Sequence, residues 1–287
     1  MGWSNGLAHW TEGSYAFVSV AFSWRLREAR RIAEYYKSHG YRVRAGGTIT
    51  SIPQNQKILA DVAEFGGEVD ALVRHNPDAT IASRGCPVGC WFCIVPKAEG
   101  KTFTLIPDFT PCPILCDNNL SALPVEYQNH IIMRYQETHT PLLDANSGFE
   151  PSTFDEDTYQ RWKQINRGAW RFAFDEMKEA DAVERMARIL KNESASRRRV
   201  YVLIGNESIA QCYERVQKVI EWGCEPHCQA VLSLNALDRH AFKILHDWDA
   251  AKLTDFMRWS NRWLWRSVPL REYSNRKNEK PLFAEVA

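Results

Sequence analysis

Cys86, Cys90 and Cys93 lie close together in the segment SRGCPVGCWFCIVPKAEG, with the spacing CxxxCxxC. Each thiolate can ligate one iron of a cubane cluster, and full protein ligation uses four. Three in one loop leave the fourth iron without a protein partner, and an open metal position is what catalysis requires. Gly85 and Gly89 let the backbone wrap closely, and Pro87 stiffens it. Loop amides can donate to cluster sulfides and tune the potential. Phe92, just before the third cysteine, is placed to shield a cluster and touch an adenine. The alternatives are a zinc site or a chance group of buried thiols. Zinc wants a fourth ligand, and no nearby histidine offers one.

The remaining cysteines carry weaker patterns. Cys112 and Cys116, and Cys224 and Cys228, repeat the spacing CxxxC. The two pairs could form an auxiliary cluster, or they are small buried hydrophobes, as is expected of Cys212. Eight cysteines in a chain whose start lacks a basic segment followed by a long apolar run point to metal or catalysis in a reducing, cytoplasmic setting. No stretch is apolar enough to span a bilayer.

The elements that must position the cysteines alternate regularly. YAFVSVAFS (15–23), a helix over 26–38 with Ala29, Ile32, Ala33 and Tyr36 on one face, and YRVRAGG (41–47) make a short N-terminal βαβ extension. A further helix is expected over 54–65. Strands then follow at 79–85, 113–120, 141–148, 169–175, 198–205 and 225–234. Helices are expected at 124–137, 154–165, 180–190, 208–222 and 249–265. Six strands, each followed by a helix or a helix-bearing loop, predict an α/β fold: an open six-unit (βα) partial TIM-type barrel. The predicted divisions are 1–75 for the extension, 76–250 for the barrel, and 251–287 for a C-terminal helix and a polar, frayed tail. The cysteine loop directly follows the first barrel strand, where such folds place their active sites.

Composition excludes little. The 287 residues are 45% hydrophobic and 25% charged, and 36 basic residues balance 35 acidic ones to a net +1. The charge therefore gives no global support for nucleic-acid binding, although that substrate class stays open. Local basic stretches at 197–199 and 258–276 read as a solvated loop and a helix face. Eleven tryptophans suit a lined cavity or a partner surface, or simply the core and its boundary.

The loop SRGCPVGCWFC resembles the cluster loop of the radical S-adenosylmethionine superfamily. TIASRGCPVGCWFC is most similar to its methylthiotransferase and cobalamin-linked branch, over about residues 78–235 and in the core domain only. The resemblance implies a 4Fe–4S cluster on Cys86, Cys90 and Cys93. It implies S-adenosylmethionine chelated at the open iron and cleaved to a 5′-deoxyadenosyl radical that abstracts hydrogen from a substrate. It also implies an electron donor such as a flavodoxin or ferredoxin. By family position, Asp117, Asn118 and Asn119 stand where the methionyl amine is met, in place of the usual Gly-Gly-Glu. Asp144, Asn146 and Arg171 (with Asp175) could hold ribose, carboxylate or substrate, and Ile204 and Gly205 would pack on adenine. Cobalamin is not expected: the N-terminal segment is too short, and it lacks a DxHxxG-type signature. The substrate is not named by these residues; nucleosides or nucleic acids, peptides and small molecules all remain. The competing reading is a non-catalytic iron–sulfur or zinc-binding protein.

Overall fold

The computed structural model describes residues 2–66, 71–146, 148–275 and 281–285. Ser147, in the third expected barrel strand, and Arg276, at the end of the basic stretch, lie outside them. The chain divides into two compact units: residues 1–118 with 232–241, and residues 119–231 with 242–287.

The first unit opens with a strand that the sequence reading missed. β1 (Leu7–Glu12) pairs antiparallel with β2 (Tyr15–Val20) across a Gly13–Ser14 turn. Parallel pairing then adds β3 (Arg42–Gly46) and the short β4 (Glu64–Phe65). The helix α1 (Leu26–Ser38) buries Leu26, Ala29 and Ala33, with Ile32 and Tyr36 packed beside them, so the expected face is the one used. The helix expected over 54–65 is a single turn, α2 (Pro53–Gln56). The Asn55 side chain donates to the carbonyls of Ile49 (3.1 Å) and Leu234 (3.0 Å). Such side-chain bonds compete with helix continuation. The turn α3 (Leu72–His75) leads into the first expected barrel strand. That strand is broken into β5 (Ala79–Thr80) and β6 (Ser83–Arg84). After the turn α4 (Val95–Ala98), β7 (Thr104–Leu105) returns antiparallel to β6, and β8 (Ile114–Leu115) runs parallel to β5.

In the second unit, α5 (Val125–Glu137) leads to β9 (Asp144–Ala145), α6 (Glu156–Lys163), β10 (Trp170–Ala173) and α7 (Ala180–Ile189). Then come β11 (Arg198–Ile204), α8 (Ile209–Glu221), β12 (Glu225–Ala230) and α9 (Ala250–Asn261). β10, β11 and β12 are parallel neighbours in that order. The central strand reads RRVYVLI because Val200, Val202 and Ile204 are fully buried under helices, as parallel sheets require. Ile209, Cys212, Val216 and Val219 form the buried stripe of α8. Trp162 and Trp170 join Phe149, Phe154 and Phe172 in an aromatic core, and Trp248 and Trp259 are also interior. These four tryptophans are therefore core. The tail after Val268 is not wholly frayed: Leu270, Tyr273 and Phe283 are buried, and Phe283 meets Phe256 edge-on. Among the described residues no helix is long and apolar enough to cross a membrane.

Candidate functional site

The cysteine loop is a long insertion closed at its base by the β6–β7 pairing, Ser83 opposite Leu105 and Arg84 opposite Thr104. Gly85 follows with φ +86°, and a Cβ there would lie 2.1 Å from the Thr102 carbonyl oxygen. Only glycine lets the two arms of the loop approach this closely. The Cys86 amide donates to the Gly100 carbonyl (3.3 Å), tying the arms a second time.

Glu99 binds these pieces together. Its Oε2 accepts from the Gly85 amide (3.0 Å) and from Asn118 Nδ2 (2.6 Å), and its Oε1 pairs with Arg84 Nη1 (3.0 Å). Asn118 also donates to the Gly85 carbonyl (3.3 Å). Expected beside a methionyl amine, Asn118 here braces the cysteine loop. Glu99 was not singled out from the sequence. Its only signal was a carboxylate close behind the cysteines, at the end of the short turn α4.

Asp117 is fully buried. Its Oδ1 accepts from the Ala82 amide (2.7 Å) and its Oδ2 from the Ser83 hydroxyl (2.5 Å). Burial pushes its carboxyl up to about 6 despite these donors. Both oxygens take their donors from the β5–β6 break. Asn119, also buried, accepts from the Ala122 amide through Oδ1 (3.2 Å), a turn cap ahead of α5.

Within the loop, the Cys93 amide donates to the Cys90 carbonyl (3.1 Å), and the Val95 amide donates to Cys93 Sγ (3.4 Å). The Phe92 ring is half-buried and meets the exposed Trp91 edge-on at 5.4 Å. Among the described residues, no three His, Cys, Asp or Glu side chains are gathered around a single point as one metal ion would need. A cubane distributes its thiolates over separate irons, so it does not ask for that convergence. The donor set and the glycine-dependent cradle fit such a cluster.

The second unit gathers a different group. Asp144, at β9, pairs with Arg171 on β10 (2.9 Å), and Arg171 Nη1 donates to the Tyr201 hydroxyl on β11 (3.2 Å). Tyr201 stands opposite His227 on β12, their rings 5.0 Å apart. Arg199 and Glu225 form the next rung at 3.9 Å. This is a polar row across one face of the parallel sheet. Burial raises the Asp144 carboxyl against the pull of Arg171 and Arg199; burial and the same two arginines lower the His227 imidazole. The sequence points to Asp144 and Arg171 and reads Arg199 as part of a solvated basic loop, whereas it lies on β11; Tyr201, Glu225 and His227 it misses. Their period-2 spacing, opposite Val200, Val202 and Cys228, was the available signal. Asn146 is exposed, Ile204 is fully buried, and Gly205 (φ +86°) has the Leu253 side chain 3.2 Å from where a Cβ would lie.

At the C-terminal ends of β10 and β11, Arg215 is fully buried. It donates to the carbonyls of Phe174 and Leu203 (both 2.8 Å) and pairs with Glu207 (3.0 Å). Nearby, burial, Glu179 and Glu150 push the Asp175 carboxyl to about 7 against Arg215. Cys224 and Cys228 are buried free thiols pushed by burial to about 11 and about 12.

No protein-family model matches the chain, and no curated protein matches it in sequence. Its architecture, an α/β fold with mixed sheets, is similar to that of a radical S-adenosylmethionine enzyme. That solved structure is the radical S-adenosylmethionine methyltransferase TsrM from Kitasatospora setae, with cobalamin and a [4Fe–4S] cluster bound. The match has a TM-score of 0.54 at 12% identity and covers 76% of this chain and 64% of that one. The chain therefore spans just under two thirds of that protein's length, and the likeness is one of fold.

Proposed function

We propose that the chain is a radical S-adenosylmethionine enzyme in which Cys86, Cys90 and Cys93 hold a 4Fe–4S cluster. The observation that carries the reading is the three-cysteine loop braced by Gly85, Glu99 and Asn118, in a chain whose fold resembles that of such an enzyme. The cluster, when bound, supplies an electron to the sulfonium of S-adenosylmethionine. The chain's own residues do the rest. Glu99 and Asn118 fix the loop, the Val95 amide points at the Cys93 sulfur, and Phe92 shields it. Asp144 and Arg171, with Tyr201 and His227 beside them, bind polar groups of S-adenosylmethionine or substrate. At the end of β11 the Gly205 backbone backs the adenine, while Ile204 stays packed under the helices. The same reading takes the six βα units as an open partial barrel, needs a reducing compartment, and calls for a one-electron donor such as a flavodoxin or ferredoxin.

The cobalamin of TsrM is not carried over.

Anaerobic reconstitution tests the proposal. Wild type is expected to bind about four irons and to release 5′-deoxyadenosine from S-adenosylmethionine with dithionite. Cys90→Ala should lose the iron, and Cys212→Ala should keep it. Bound zinc with no deoxyadenosine, or equal iron in both variants, would refute it and leave the non-catalytic reading.

A further inference from the structure

We infer that the second unit carries an anion site, separate from the polar row, for a ligand bearing adjacent phosphates. A cleft of about 400 Å³ opens between α6 and α7. Its lining includes Lys163, Arg185, Arg188 and Lys191, against one carboxylate, Glu156. The formal balance is four positive charges and one negative, or +3, in a chain whose total is +1.

The pairing pattern sharpens the point. Arg188 reaches Glu184 only at 3.8 Å, while Lys163, Arg185 and Lys191 have no carboxylate partner among the described residues. Glu193, the next acidic neighbour, is taken by Arg197 and by the Tyr159 hydroxyl (2.9 Å). Arg185 and Arg188 lie three residues apart on α7, with Lys191 three further along the chain. That spacing puts cations on neighbouring turns, where like charges repel unless an anion lies among them. Glu156 is itself occupied, accepting from Gln160 (2.8 Å).

The site is also held in place. Arg185 Nη2 donates to the carbonyls of Pro151 (3.2 Å) and Ser152 (3.4 Å), which fixes the guanidinium at the cleft wall. Lys163 rests over the Tyr159 ring, 5.1 Å from its centroid, and Tyr159 is buried, so the ring anchors that lysine. A fixed guanidinium fork with two flanking ammoniums matches phosphate oxygens. Two or more phosphate charges are needed to offset +3. The ligand is therefore either a free diphosphate or the backbone of a nucleic-acid strand.

The test uses the full chain, with inorganic pyrophosphate and a fluorescein-labelled single-stranded RNA as probes, in anisotropy and competition titrations. Lys163→Glu/Lys191→Glu is the main variant, because neither side chain braces the backbone; Arg185→Glu is the second. Lys57→Glu, an exposed reversal in the other unit, is the control. The double variant should weaken binding by about tenfold or more and flatten the log–log salt slope by about 0.7 for each strand phosphate no longer neutralised. Lys57→Glu should bind like wild type. Pyrophosphate displacing the RNA assigns a strand backbone; pyrophosphate binding without RNA binding assigns a free diphosphate. Binding of neither probe, or equal weakening by Lys57→Glu, would overturn the site. None of these readouts depends on a cluster, so failure here leaves the proposed function standing.

Discussion

Removing the Glu99 carboxylate should loosen the cysteine loop by an amount that can be worked out from its hydrogen bonds. Glu99→Ala deletes two acceptor bonds on the inner side, from the Gly85 amide (3.0 Å) and Asn118 (2.6 Å), where the side chain is only 13% exposed. Hydrogen bonds to a charged group contribute about 1.5–3 kcal/mol each. The Arg84 pair is half-exposed and adds at most about 1 kcal/mol. The total is roughly 3–7 kcal/mol of local stability. At about 1.4 kcal/mol per decade, the Gly85 amide should exchange with solvent at least about 100-fold faster. Glu99→Gln should fall between, because its carbonyl can still face Gly85 while its amide group then confronts Arg84. Hydrogen exchange at Gly85 and Cys86, in the chain without iron, reads the effect directly. If Gly85 exchanges at the wild-type rate in Glu99→Ala, the brace is not what holds the loop.

Three further expectations rest on the same kind of interaction. Gly85→Ala must accommodate a Cβ 2.1 Å from the Thr102 oxygen at φ +86°. It should cost about 1–3 kcal/mol or more and open residues 86–100 to protease; a wild-type melting temperature and digestion pattern would contradict this. Arg215→Met leaves the Phe174 and Leu203 carbonyls and Glu207 without their buried cation, a destabilisation of about 3–5 kcal/mol by urea unfolding. A change under about 1 kcal/mol would show the network to be dispensable. Asp117 has a folded value of about 6, above its unfolded value, so the folded chain holds that proton more tightly. Its contribution is present below about pH 4 and lost as pH rises through about 6, roughly 3 kcal/mol in all. Asp117→Asn, which cannot ionise, should flatten the pH dependence of the thermal midpoint over that window; an unchanged profile would place the titration elsewhere.

What the sequence announced and what it concealed divide by separation along the chain. β11 was legible because its valines alternate under helices, and α8 because Ile209, Cys212, Val216 and Val219 repeat at helical spacing. Both signals are local. The break between β5 and β6 was not legible, because the group that takes the Ala82 amide out of a continuous strand is Asp117, 35 residues later. The shortening of α2 has the same origin, since Asn55 bonds a carbonyl at Leu234. The buried Phe283 answers to Phe256 rather than to its own polar neighbours.

The candidate site obeys the same division, and that bears on its chemistry. Cys86, Cys90 and Cys93 could be read because cluster ligation needs them in one short loop. Their supports could not, because none of them falls within the cysteine spacing. Asp117 and Asn118 sit beyond the return strand β7, and Glu99 on the loop's second arm. Family position placed Asp117 and Asn118 beside a cofactor amine, whereas their hydrogen bonds hold the backbone that carries the cysteines. A polar group in a motif's expected place can serve the scaffold and leave ligand binding to others. The unread row of Tyr201 and His227, on the sheet face shared with Arg171, is where such binding groups are best sought. Alanine there should weaken binding of S-adenosylmethionine or substrate while leaving iron content at the wild-type level. Loss of iron in either variant would move both residues from ligand binding to the scaffold.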